Sequence, residues 1–415
     1  MNAISIARDS EDKSLIKDGL LAGAKRLSPT AAFYLQASIT VAFLAGSSAP
    51  TPLYPLYQAQ WGFSPVAVTV IFGIYAIAVL SALLVAGRLS DHIGRRPVLF
   101  FAAIAQAITM VVFATAENLA GLMIARVMQG LATGAAVAAV GAGLLDLDKS
   151  RGTLANSIAP AVGTATGAIV AGLMVRYLPA PTHLIYAVLG VIFVLQAVAV
   201  LFMSESTSPR AGALASLKPR FVLPSTVREP LFLAAPVLIA VWALAGFYGA
   251  LGPMLIRNML GGNSSLLGGL ALFVLAASGA ATVYLMQRVQ ARAMMSWGAL
   301  ALLAGVAITI AAISTRSIAT FFVGTSIAGI GFGAGFQGSI RTIMPLASAS
   351  DRAGVLSVIF VVSYLAMGVP VVVAGLLVVQ FGDVVATARE FATMVMILAT
   401  LALVGLAMRR PQQAA

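Results

Sequence analysis

Gly87-Arg-Leu-Ser-Asp-His-Ile-Gly-Arg-Arg-Pro97 sets one acid and three arginines between two runs of mostly apolar residues. A bilayer core takes about 20 apolar residues per helix, so each flank reads as a membrane span and the charged piece as a tight turn outside the hydrocarbon. Arg88, Arg95 and Arg96 assign that turn to the cytoplasmic side, where basic loops are retained. Gly87 predicts a left-handed end to the first of these spans. Gly94 predicts a second sharp bend before a helix that starts near Pro97.

Composition extends this reading to the whole chain. With 415 residues, 60% hydrophobic content, only 9% charged residues and a mean hydropathy of +1.00, the sequence is that of a polytopic membrane protein. The net charge of +12 does not indicate nucleic acid, because the basic residues punctuate apolar runs instead of clustering on one face. Cysteine is absent, which excludes disulfides and thiolate chemistry, and two histidines, His92 and His183, are too few for a metal centre. The first thirty residues mix acids with bases and lack a compact apolar segment followed by a cleavage site, so a cytoplasmic tail is expected there instead of a secretory signal.

Apolar spans fall near 31–57, 65–86, 97–116, 119–145, 153–178 and 183–203, then near 231–256, 265–287, 294–313, 317–345, 354–380 and 390–408. Twelve helices follow, and threading them places all but five of the 25 basic residues on one face, the cytoplasmic one. The exceptions are Arg126, Arg176, Arg257, Arg316 and Arg389. The expected organisation is a tail over 1–30, a six-helix bundle over 31–203, a polar linker over 204–228, a second bundle over 229–408 and a tail over 409–415. The halves echo each other at an offset of about 200: Ala45-Gly46 matches Ala245-Gly246, Arg88 matches Arg288, and Gly130 and Gly134 match Gly331 and Gly335. Gln287 to Arg292 is then a degenerate second copy of the opening loop.

The opening loop resembles the signature loop of the major facilitator superfamily, with Gly87, Leu89, Asp91, Gly94, Arg95 and Arg96 at the pattern positions. The resemblance implies an all-α membrane fold of twelve transmembrane helices in two six-helix bundles related by a pseudo-two-fold axis. It also implies that Asp91 lies near the start of the eleventh helix and helps latch the two halves, which makes Gly87, Asp91, Gly94, Arg95 and Arg96 gating candidates. In the fourth span Arg126, Gln129 and Gly130 resemble a second pattern of the superfamily, whose arginine is tied to substrate anchoring or proton coupling. In the fifth span Pro160 and Gly163 resemble an antiporter signature, but Ala159 and Thr164 replace two of its glycines.

Other candidates come from the residues themselves. An arginine inside a span costs several kcal/mol, so Arg126 must face protein or a watery cavity; backbone carbonyls are its structural alternative to a ligand. Arg126, Gln129 and Thr133 share one helical face. Gln36, Thr40, Phe43 and Ser47 form a mixed polar stripe on the first span, whose end from Ala49 to Tyr57 carries three prolines and predicts a kink. Trp242, Tyr248, Gln337 and Tyr364 add aromatic faces and an amide from the second half. None of the 13 acids falls mid-span. A cavity charged only by Arg126 then favours neutral or anionic substrates, and proton coupling falls to Asp91, Arg126 or the rim carboxylate Glu117.

These readings point to a secondary active transporter working by alternating access. The expected activity is proton-coupled efflux of a neutral or anionic drug or metabolite through the inner or plasma membrane, with both termini cytoplasmic. Proton-coupled uptake of an organic acid is the alternative within transport, and a non-transporting membrane sensor the alternative outside it. Enzymatic activity is not expected, since no nucleophile with a neighbouring base is visible. The expected partners are the lipid bilayer, a small-molecule substrate and protons, with no nucleic acid. No cofactor is expected beyond the proton gradient, and the chain is expected to be a monomer.

Overall fold

The structure, a computed structural model, describes residues 26–260, 265–348 and 350–408. Expectations for the first 25 residues and for 409–415 lie outside the described residues. The described residues contain twelve helices long and apolar enough to cross a membrane. The first six are α1 (Pro29–Ser48), α2 (Pro65–Ala86), α3 (Arg95–Ala114), α4 (Leu119–Leu147), α5 (Lys149–Tyr177) and α6 (Pro181–Leu201). The other six are α7 (Ser225–Ala250), α8 (Ser265–Leu285), α9 (Ala291–Thr315), α10 (Ile318–Ile343), α11 (Arg352–Phe381) and α12 (Val384–Met408).

The helix ends follow from local chemistry. Ser28 caps α1 by accepting from the Ala31 amide, Asn118 caps α4 through Gly121, and Asp148 ends α4 while capping α5 through Arg151. Asp383 accepts from the amides of Val385 and Ala386 at 2.8 and 3.0 Å, so α12 starts before the expected residue 390. Helix α7 begins at Ser225, inside the expected linker, because Pro224 supplies an extended residue ahead of the first turn. The first span is not one rod to residue 57. Pro50, Pro52 and Pro55 interrupt it, and a three-residue turn (Thr51–Leu53) leads into a short helix (Tyr54–Trp61).

Two glycine expectations resolve differently. Gly94 has φ +99°, so the bend favours glycine, and a Cβ there would lie 2.4 Å from the Glu205 carboxylate and displace it. Gly87 is not left-handed: its φ is −58°, and what excludes a side chain is the Leu83 carbonyl, 2.2 Å from a Cβ position.

The packing repeats. In the first half α1 lies on α5, α2 on α4, and α3 on both α4 and α6; in the second α7 lies on α11, α8 on α10, and α9 on both α10 and α12. The two large contacts between halves are α2 with α11 and α5 with α8. Exchanging each helix for its counterpart six places on turns one of these seams into the other, as a pseudo-two-fold axis demands. Backbones approach closely at small residues, as at Gly298 against Gly335, which is how helices associate where water supplies no driving force.

Candidate functional site

The prolines that break α1 lie beside a polar buried spot in the first half. In an unbroken helix the carbonyls of Gly46 and Ser48 would accept from residues 50 and 52, and both are proline, which has no N–H. Side chains from α4 fill part of the gap. Gln129 Nε2 donates to the Gly46 carbonyl at 2.9 Å, and Arg126 Nη1 donates to the Ser47 carbonyl at 2.8 Å and to Gln129 Oε1 at 2.6 Å. Arg126 Nε donates to the Tyr54 hydroxyl at 3.0 Å, and Nη2 donates to the same oxygen. The rings of Tyr75, Tyr54 and Phe113 surround the guanidinium, with centroids 5.2, 5.6 and 5.8 Å away. Arg126 is fully buried, and among the described residues no carboxylate is bonded to it. Hydrogen bonds and ring faces carry its charge.

A cavity of about 190 Å³ lies where the halves meet. The first half contributes Ser47, Ser48, Thr51, Tyr75, Asn156 and Ser157, among others. The second contributes Trp242, Phe332, Phe336 and Tyr364 amid aliphatic residues. Among the described residues none that lines it is charged.

Of the substrate candidates read from the sequence, Trp242 and Tyr364 stand on this wall, and so does Pro160. Arg126 and Gln129 sit behind it, clamped to α1. Gln36 and Thr40 face the interior of the first bundle, where Gly143 makes room for the Gln36 amide. Tyr248 bonds Thr325 at 2.8 Å inside the second bundle. Gln337 is half-buried on α10 away from the cavity, and Glu117 is exposed in the turn between α3 and α4. Gly163 packs on α1, its Cβ position 2.5 Å from the Val41 carbonyl, so it serves close approach of α5 to α1.

Sequence reasoning missed Asn156 and Ser157, a polar break in α5, and Phe332 and Phe336, an i,i+4 aromatic pair on α10. Both signals were present: two adjacent polar residues in an apolar run, and rings spaced to share a face.

The loop from Gly87 to Arg96 is braced within its own half. Asp91 pairs with Arg95, whose guanidinium also reaches Ser90 Oγ at 2.7 Å and Asp146 Oδ2 at 3.1 Å. Glu205, just after α6, accepts from the amides of Arg95 and Arg96 at 2.8 and 3.0 Å and so caps α3, while Arg96 donates to the Leu201 carbonyl. The following chain is strapped on by the Arg210 amide, 2.8 Å from the His92 carbonyl. The latch expected between Asp91 and the start of α11 is not among the contacts of the described residues; Arg95, one turn away, takes the carboxylate instead.

Two predictions arise here. Replacing Glu205 with alanine strips the cap and should lower stability by about 1 kcal/mol, read by thermal unfolding in detergent. Asp91→Asn leaves Arg95 with one carboxylate partner, Asp146, beside the Ser90 hydroxyl. Because the Asp91 pair is half-exposed and worth at most about 1 kcal/mol, downhill transport, which needs no proton coupling, should fall roughly two- to fivefold with insertion intact. A normal rate in the folded variant would remove Asp91 from gating.

Comparison with known proteins adds three findings. A family model described as Major Facilitator Superfamily matches residues 37–283, more than half of the chain. A multidrug transporter of that superfamily from Aspergillus fumigatus, mfsB, is 47% identical over 60 residues, covering 14% of this chain and 10% of that protein. The chain therefore spans about a tenth of the length of this relative. The crystal structure of the nucleoside transporter NupG, 11% identical, is similar over 90% of this chain and 97% of that one, with a TM-score of 0.66, a likeness of fold.

Proposed function

Since the chain belongs to the major facilitator superfamily, and is accordingly a multi-pass transporter, not an enzyme, we propose that it moves an uncharged small organic molecule outward by alternating access, in exchange for protons. The observation that carries the substrate class is the cavity between the halves, whose wall holds hydroxyls, one amide and aromatic rings but no ionic group. An ion moved from water to such a wall loses hydration that nothing there replaces, so neutral molecules are favoured. The uptake of an organic acid loses ground for the same reason: Arg126, the cation near the cavity among the described residues, spends its donors on Ser47, Tyr54 and Gln129.

The two seams supply the machinery. Rocking one half against the other about their shared axis would expose the cavity to each side in turn. Efflux is supported by the local similarity to a multidrug transporter. With the basic loops inside, both chain ends face the cytoplasm of a cell whose inner or plasma membrane holds the protein as a monomer. Asp91, close to Asp146 and Arg95 at the loop face, is the carboxylate offered for proton coupling.

The test uses everted membrane vesicles with an imposed pH gradient, chloramphenicol as an uncharged probe and ethidium as a permanently cationic one. Chloramphenicol should accumulate while the gradient lasts and ethidium should not. Transport of ethidium, or chloramphenicol uptake indifferent to the gradient, overturns the reading.

A further inference from the structure

We propose that the indole N–H of Trp242 and the hydroxyl of Tyr364 form a donor pair that selects molecules with a hydrogen-bond acceptor, a carbonyl above all, on one edge of a flat neutral body. The inference rests on the cavity being the substrate site, as argued above.

It follows from an account of every polar hydrogen on the wall. On the first half most are already committed. Ser47 donates to the Phe43 carbonyl at 2.8 Å, Ser157 to Thr153 at 2.9 Å, Thr164 to Pro160 at 3.0 Å, and Tyr75 to Ser47 Oγ at 2.7 Å. Ser48 donates to the Thr164 carbonyl at 2.8 Å. What these hydroxyls still offer is lone pairs. Thr51, whose hydroxyl is buried without a partner, and the second N–H of Asn156 are the donors left on that side.

The second half is the reverse. Trp242 Nε1 is buried and has no partner among the described residues, sealed from water in this conformation, so the indole must turn toward the cavity to meet an acceptor; the Tyr364 hydroxyl makes no hydrogen bond among the described residues. The two rings are adjacent, with centroids 5.2 Å apart and planes at 43°, and Phe336 meets the indole edge-on at 5.4 Å. An indole N–H has no acceptor capacity and is costly to bury unpaired, so it calls for an acceptor from whatever fills the cavity. The surrounding rings call for a flat apolar body, and the lone pairs opposite call for a donor on the far edge. A neutral ring system with a carbonyl on one side and an N–H or O–H on the other meets all three demands.

Four three-ring compounds separate these contributions: acridone has both a carbonyl and an N–H, xanthone a carbonyl without the N–H, carbazole an N–H alone, and anthracene neither. Titration calorimetry of the purified full chain in detergent should rank acridone first, with xanthone binding more tightly than anthracene. Trp242→Phe and Tyr364→Phe should each weaken acridone and xanthone by about five- to tenfold, the effect of one buried hydrogen bond, and leave carbazole and anthracene unchanged. Tyr364→Phe removes a single oxygen, so a folding defect in the tryptophan variant does not decide the matter. Equal binding of all four compounds, or equal weakening of all four in both variants, overturns the donor pair. Ala245→Phe, which fills the cavity, should abolish binding of every compound. Binding that survives it overturns the cavity as the substrate site, a result distinct from loss of the donor pair.

Discussion

Arg126→Ala should destabilise the protein by about 3–5 kcal/mol, the combined effect of a large-to-small change at a packed site and of partners left unpaired. The side chain is fully enclosed, and its removal strands the Ser47 carbonyl, the Tyr54 hydroxyl and Gln129 Oε1 together. It also empties the space among the rings of Tyr54, Tyr75 and Phe113. Arg126→Lys should recover less than half of the loss, because an ammonium on a flexible stem cannot reproduce the planar fork that serves three acceptors at once. The measurement is thermal unfolding in detergent, with ligand titration well below the transition. If the alanine variant melts with the wild type yet no longer binds ligand, the guanidinium belongs to the cavity and not to the broken end of α1.

Gly269→Leu should cut transport at least fivefold while leaving the protein folded. Gly269, near the start of α8, stands against α5 so closely that a Cβ would lie 2.5 Å from the Ala168 carbonyl and 3.1 Å from Pro52. No rotamer relieves a clash between Cβ and a backbone oxygen, so the helices must part, at about 1–3 kcal/mol for overpacking. The strain falls only on states in which this end of the seam is shut, and a bias of that size shifts their population by roughly five- to 150-fold. The symmetry-related seam offers an independent copy of the experiment in Gly375→Leu, since Gly375 on α11 has Thr69 Oγ1 2.2 Å from its Cβ position. The chain has no cysteine, so one introduced at Gln58, at the same end of the molecule, reports closure by its rate of maleimide labelling. Faster labelling with slower transport is the expected pair of results, and unchanged turnover would show that closing this end is not part of the cycle.

What the sequence made legible and what it did not divide along a physical line. Span number and the loop carrying Asp91 were readable because hydropathy and turn chemistry are local properties. The destination of Arg126 was not, since it depends on the Ser47 carbonyl and the Tyr54 hydroxyl more than 70 positions earlier; Pro50, which deprives the Gly46 carbonyl of its donor, is a clue to the neighbouring Gln129. Of the stripe Gln36, Thr40, Phe43 and Ser47, only Ser47 reaches the cavity, because a polar face need not line a pathway along its whole length. Gly143 on α4 leaves space for the Gln36 amide within the bundle, and the cavity instead takes Leu44, Ser47, Ser48 and Thr51. Trp242 and Tyr364 were found because large aromatics near a bundle interface are conspicuous, but their free donors become visible only once every neighbour has been accounted for.

The guanidinium held behind the wall has an electrical consequence. It is a fixed positive charge within a span of the first half, and no carboxylate offsets it among the described residues. A unit charge carried across the whole bilayer exchanges about 2.3 kcal/mol with each 100 mV of potential. In the proposed cycle a tilt of the first half would carry Arg126 through some fraction of that drop, so voltage would bias the resting orientation of the protein even with a cargo that bears no charge at all.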